Sequence, residues 1–155
     1  MQYLIFTIDK TLYAVDVFHI QEVISYEEPQ HLPCPDPIIA GLLSSRGSNF
    51  SVVDIRKKFE LEPIQYTDAN KIVVIDAINK RHGSKVVFGA IVDSVQEVLT
   101  LDEQVTDDRP NLGNSIANRF VKSIAKKDDK FVLILDVDKI FSFDELDNIA
   151  KTQGE

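Results

Sequence analysis

Residues 41–59 read GLLSSRGSNFSVVDIRKKF. An apolar run (Ile38, Ile39, Ala40, Leu42, Leu43) leads into Ser44-Ser45-Arg46-Gly47-Ser48, and a second β-rich run follows from Phe50 to Val53. Asp54 then opens Ile55-Arg56-Lys57-Lys58-Phe59. The pattern predicts strand, tight turn, strand and a short helix. Asp54 suits the cap, where a carboxylate accepts from orphan backbone N–H groups and meets the positive end of the helix dipole. The end of this stretch decides the fold, because it returns. Val53-Asp54-Ile55-Arg56-Lys57-Lys58-Phe59 is matched by Leu135-Asp136-Val137-Asp138-Lys139-Ile140-Phe141. Upstream, Val15-Asp16 precedes Ile20-Gln21-Glu22-Val23 as Val92-Asp93 precedes Val95-Gln96-Glu97-Val98.

Each half is therefore several strands ending in strand, aspartate, short helix. Neither half is long enough to bury a large core alone. Two small, similar barrels sharing an apolar seam solve this, so the expected fold is all-β, with short helices at strand ends and a C-terminal helix over a rim. An α/β sheet is the alternative. It needs long helices between strands, and none is visible before residue 136.

Outward from the opening stretch, YLIFTI (3–8) and TLYAVDV (11–17) read as a hairpin across Asp9-Lys10, with Leu4, Phe6 and Ile8 on one face. Residues 20–26 form a third strand. Ile20 and Ile24 point inward, while Val23 and Tyr26 fit core or rim. The loop from Glu27 to Pro37 holds Pro29, Pro33, Pro35 and Pro37, which forbid regular structure and stiffen the link. In the second half, strands are expected at 71–78, 85–93, 95–101, 120–125 and 131–135, with a long polar loop from Asp102 to Asn118. Gly89 within a strand suggests a bulge or a close backbone approach. Ser142-Phe143-Asp144-Glu145 has the form of a capping box, followed by an apolar stripe of Phe143, Leu146 and Ile149. The tail from Lys151 to Glu155 is expected to fray.

The chain has 155 residues, a formal net charge of −8 and a single cysteine, Cys34. The charge argues against a nucleic-acid or anionic-membrane binder, since no basic stripe exists to release counterions. One cysteine cannot staple the fold. The start lacks a signal-peptide pattern, and no apolar run approaches ~18 residues, so a cytoplasmic protein without membrane insertion is expected. His19, His31 and His82 have no metal spacing. No nucleophile elbow, phosphate loop or dinucleotide fingerprint occurs, and no cofactor is expected. A binding module is the reading that survives. Within it, Arg46 is either a solvated loop charge or a fixed five-donor fork aimed at a partner.

The ordered set resembles the CheW family, adaptors that couple chemoreceptors to the histidine kinase CheA. The residues carrying the resemblance are YLIFTID-KTLYAVDVFHIQEV, IAGLLSSRGSNFSVVDIRKKF, FGAIVDSVQEVLTL, Pro110 and FVLILDVDKIF. It spans nearly the whole chain and implies one CheW-like domain over residues 1–155, built of two five-stranded SH3-like barrels around a shared hydrophobic core. The first subdomain would span about 11–66 and the second about 71–141, with 1–8 and 142–155 packing across both. The implied function is a non-enzymatic scaffold. The implied partners are the CheA regulatory domain and the tip of the receptor's cytoplasmic helical hairpin, with recruitment to membrane-associated arrays. Carried over by position, receptor contact falls on Ile20, Glu22, Gly41 and Arg46, in a groove between the barrels. Kinase contact falls on Val23 and Tyr26 at an edge of the first barrel and, through a second contact, on Leu112.

Two departures bear on this. Family members usually carry Asn-Leu before Arg-Gly and a proline in the next strand, where this chain has Ser44-Ser45 and Ser51. Where the second barrel commonly has a glycine, this chain reads Phe120-Val121-Lys122-Ser123. Two other classes stay open: a similar adaptor in another kinase–receptor system, such as twitching motility, and a small β-barrel enzyme. The enzyme would need titratable groups converging in a polar cleft.

Overall fold

The computed structural model describes residues 1–102 and 116–154. Among these residues ten strands and two α-helices follow in chain order, with short 3-10 turns at Val17–His19 and Ile116–Phe120. The first half holds β1 (Gln2–Ile8), β2 (Thr11–Asp16), β3 (Ile20–Ser25), β4 (Ile39–Ser45), β5 (Ser48–Val53) and α1 (Ile55–Lys58). The second holds β6 (Lys71–Asn79), β7 (Ser84–Val92), β8 (Ser94–Thr100), β9 (Val121–Lys127), β10 (Lys130–Leu135) and α2 (Phe143–Thr152). The protein is all-β, with two five-stranded curled sheets and a C-terminal helix.

Local chemistry explains most of these elements. Three hairpins turn on residue pairs with positive φ at both positions: Asp9-Lys10 (51° and 69°), Arg46-Gly47 (52° and 79°) and Asp128-Asp129 (50° and 64°). Two positive-φ residues give a turn whose twist matches that of the flanking strands. Asp54 caps α1, its side chain accepting from the Lys57 N–H. Ser142 and Glu145 form the reciprocal capping box of α2. After Asp136 the expected short helix is absent. The Asp136 carboxylate accepts from the Asp138 N–H and its carbonyl from the Lys139 N–H, closing one turn. Val137, Ile140 and Phe141 are drawn into the core, and the next helix starts at once from Ser142. In α2, Leu146 and Ile149 are buried but Phe143 is exposed and lies beside the Arg81 guanidinium, 5.1 Å from the ring centroid.

The strand order is β8-β1-β2-β10-β9 in one sheet and β3-β6-β7-β5-β4 in the other. The sheets therefore do not follow a division near residues 66–71. Each repeat gives its opening hairpin to one sheet and its remaining three strands to the other. β2 joins β10 in parallel, Val132–Ile134 against Leu12–Ala14, and β5 joins β7 in parallel, Ser51–Val53 against Phe88–Ala90. The crossings fall at the links after each hairpin. At Val17–His19 and at Asp93 the chain leaves its opening hairpin and continues in the other sheet.

The exchange makes one core from two sheets. Leu4, Phe6, Ile8, Tyr13, Leu133 and Leu135 from one sheet meet Val53, Val73, Ile75, Phe88, Ala90 and Val92 from the other. Two smaller clusters fill the curls: Tyr3, Ile5, Ala14, Ala125, Val132 and Ile134 in the first, and Phe50, Val52, Ile72, Val74 and Ile91 in the second. Gly89 is a close approach, as expected. A Cβ there would stand 2.7 Å from Ile72 and 2.8 Å from Phe50.

A buried cation ties the sheets together. Arg56 in α1 is 5 % exposed. Its guanidinium donates to Asp93 Oδ2 at 2.6 Å and to the Glu62 carbonyl at 3.1 Å. Asp93 Oδ2 also accepts from the Asp9 N–H at 2.7 Å. One carboxylate thus joins the end of the first repeat, the crossover of the second and the β1–β2 turn.

Candidate functional site

Glu22 and Arg46 lie 24 positions apart in sequence, on opposite borders of the second sheet. Glu22 sits on the edge strand β3, and Arg46 on the turn between β4 and β5. The curl brings the borders together, and Arg46 Nε lies 3.2 Å from Glu22 Oε2. The Arg46 side chain remains 84 % exposed while that of Glu22 is 15 % exposed, so the carboxylate anchors the guanidinium and leaves much of its fork to solvent. Arg46 stands at positive φ in the tight two-residue turn it shares with Gly47.

The pair stands in a groove of about 530 Å³ lined by Gln21, Glu22, Ser45, Arg46, Asn49 and Gln153, with Phe50, Val74 and Val87 as its apolar floor. The resemblance implied a groove between the barrels, but these strands all belong to the second sheet, with α2 adding Gln153 from outside it. Ser44 Oγ bonds Asn49 Oδ1 across the hairpin, so the two serines before Arg46 form a polar approach to it.

The other expected site residues fall as follows. Ile20, at the start of β3, is half-buried against the shared core. Gly41 lies at an irregularity of the β4–β5 pairing, where a Cβ would collide with the Gln30 carbonyl. Gln30 and Leu42 exchange backbone hydrogen bonds there, both at 2.9 Å, which closes the curl along β4. Gly41 thus shapes the sheet, and its place outside the groove lining separates it from the Glu22–Arg46 pair. Val23 is 39 % exposed on the free edge of β3. Tyr26 follows that strand and packs on Tyr66 with centroids 5.4 Å apart. Tyr66 in turn donates to Asp54 Oδ1 at 2.7 Å. Burial first, and that bond second, push its phenol well above the ordinary tyrosine range. Leu112 lies outside the described residues.

Gln153 escaped the sequence reading. In place of a frayed tail, α2 runs to Thr152, and Gln153 Oε1 accepts from the Ser51 N–H at 2.7 Å. The signal that could have found it is Ser51, a hydroxyl amid the apolar run of β5, fully buried and hence in need of partners.

Fold and groove define a class: two curled sheets interleaved by an internal repeat, with a charged, shallow groove in the mouth of one. The CheW-like domain model matches residues 2–145, and the chain belongs to that family. It is 26% identical over 154 residues to a chemotaxis protein CheW of Klebsiella aerogenes, covering 97% of this chain and 89% of that protein. A CheW of Thermotoga maritima is 28% identical over 135 residues, covering 87% and 83%. The crystal structure of the scaffolding protein TtCheW from Thermoanaerobacter tengcongensis superposes with a TM-score of 0.73 at 28% identity, covering 91% of this chain and 92% of that one. Among the described residues no helix is long and apolar enough to cross a membrane.

Proposed function

We propose that the chain is a non-enzymatic adaptor that couples chemoreceptors to the histidine kinase CheA, working in the cytoplasm at membrane-associated arrays. The observation that carries this reading is the Glu22–Arg46 pair, which holds an exposed guanidinium over a groove. A protein surface is read by such an arrangement: an apolar floor, a polar rim and a fixed multi-donor fork. The receptor's hairpin tip is the partner assigned to this groove, with Glu22 and Arg46 as its charged contacts and Ile20 and Gly41 at the periphery of the receptor surface. The CheA regulatory domain is assigned to the β3 edge at Val23 and Tyr26, with Leu112 in a second kinase contact. The relatives' names, all chemotaxis proteins, favour this over an enzyme.

The test is binding of a receptor cytoplasmic hairpin fragment and of a CheA regulatory domain to the purified chain. Arg46→Glu sets two carboxylates against each other in the groove while touching no core residue. Loss of receptor binding, with kinase binding and the melting curve unchanged, is expected. Receptor binding by a folded Arg46→Glu protein at wild-type strength would remove the groove from the interface.

A further inference from the structure

Gln153 stands at the end of a helix, where a glutamine side chain is ordinarily free to sample many rotamers. Here it is held twice over. Its Oε1 accepts from the Ser51 N–H at 2.7 Å, and Ser51 Oγ donates to the Ile149 carbonyl at 2.9 Å, so one residue of β5 fixes both the side chain and the last turn of α2. Ser51 is fully buried. A buried N–H without an acceptor is costly, so a serine at this place depends on Gln153 in a way that a proline, with no N–H, would not. The amide so fixed lines the same groove as Glu22 and Arg46. With Oε1 engaged, what the amide can present to an occupant is its NH2 group, a pair of donors on a pre-ordered arm.

We infer that Gln153, locked by Ser51, is a specificity-determining residue of the groove and donates a hydrogen bond to the bound partner. The inference rests on the groove being the receptor site. A helical-hairpin tip is a suitable acceptor, because the turn leaves helix-end carbonyls without intrahelical partners. Orienting the donors in advance spares the ordering cost that a free glutamine would incur on binding.

The experiment measures binding of a receptor hairpin fragment and of a CheA regulatory domain to three full-length variants. Gln153→Glu keeps an acceptor for the Ser51 N–H and removes the NH2 donors. It is expected to weaken receptor binding about tenfold, the scale of one interfacial hydrogen bond, with an unchanged melting curve and unchanged kinase binding. Ser51→Pro removes the lock without leaving an orphan donor, and is expected to weaken receptor binding by a smaller factor. Arg46→Glu is the reference. If it abolishes receptor binding while Gln153→Glu binds within twofold of wild type, Gln153 is only a helix clamp and the inference is overturned. If neither variant changes receptor binding, the groove is not the receptor site and the reading beneath the inference falls with it.

Discussion

The mouths of the two curled sheets are built from the same repeat and have diverged in charge. In each, a glutamate of the edge strand meets a cation from the facing hairpin: Glu22 with Arg46 in one sheet, Glu97 with Lys127 in the other. In each, the hairpin turns on two residues of positive φ, Arg46-Gly47 and Asp128-Asp129. The turn charge is inverted, however. A second groove of about 460 Å³ on the first sheet is lined, among the described residues, by Lys10, Gln96, Asp129, Lys130 and Phe131 and by neither Glu97 nor Lys127. Ser51 marks the divergence most clearly. The matched position in the repeat is Leu133, which serves the shared core, whereas Ser51 receives α2. Backbone geometry is common property of the two halves, and the two mouths are set apart by the few side chains that differ.

The largest test of this comparison concerns the cation buried beside it. Arg56 and Asp138 are repeat counterparts, but only Arg56 is sealed in an ion pair. Arg56→Ala removes the guanidinium from Asp93 and from the Glu62 carbonyl, leaving the carboxylate only the Asp9 N–H, and is expected to cost about 3 kcal/mol of unfolding free energy. Asp138→Ala loses one bond, from the Ile78 N–H, and is expected to cost about 1 kcal/mol. Urea denaturation of both variants measures the gap, and equal costs would mean the halves are braced alike.

Next comes the pair at the mouths. Receptor binding should fall by more than about tenfold in Arg46→Glu and stay unchanged in Lys127→Glu, as titration calorimetry would read it. A loss in both would erase the functional asymmetry. The curls should also differ in tolerance. The first closes around Ala14 and Ala125, the second around Gly89. Gly89→Ala forces a methyl against Ile72 and Phe50 and is expected to cost about 1–3 kcal/mol, seen as a lowered denaturation midpoint.

The smallest effect is alkaline. Burial, with Asp9 nearby, raises the Tyr13 phenol to about 12, and burial with the Asp54 bond raises Tyr66 above the ordinary 10.0. Both folded values exceed the unfolded one, so the folded state holds these protons longer. Their stabilisation is complete below pH 10.0 and is lost as pH rises through the folded values. Tyrosinate absorbance for these two should appear only with unfolding, and the Tyr66 share should vanish in Tyr66→Phe.

Much of this architecture was legible in the residues. The turns at Asp9-Lys10 and Asp128-Asp129 and the caps at Asp54 and Ser142 are local chemistry, and the repeat foretold paired sheets. Strand periodicity states which face is buried and says nothing of which strand lies alongside. The exchange of β1–β2 and β6–β7 was therefore invisible, and a cut between 66 and 71 looked natural. Of the site, Arg46 could be singled out by its turn. Its bond to Glu22 depends on sheet curvature, which no sequence spacing reports. Gln153 was hidden because its order comes from Ser51, a partner 102 positions away.

The reciprocal sharing of hairpins also sets a timetable for the nascent chain. The second sheet has all its strands once Val92 has been made. The first sheet takes β1 and β2, which are made before any strand of the second sheet, yet it is complete only when β10 ends at Leu135. Both borders of the hairpin are unpaired until β8 is made, and the β2 border stays open until β10 arrives, with Ala125, Val132 and Ile134 not yet there to cover Tyr3, Ile5 and Ala14. Synthesis thus leaves an apolar hairpin with one strand edge open until β10 arrives, a window in which a chaperone or a neighbouring nascent chain can capture it.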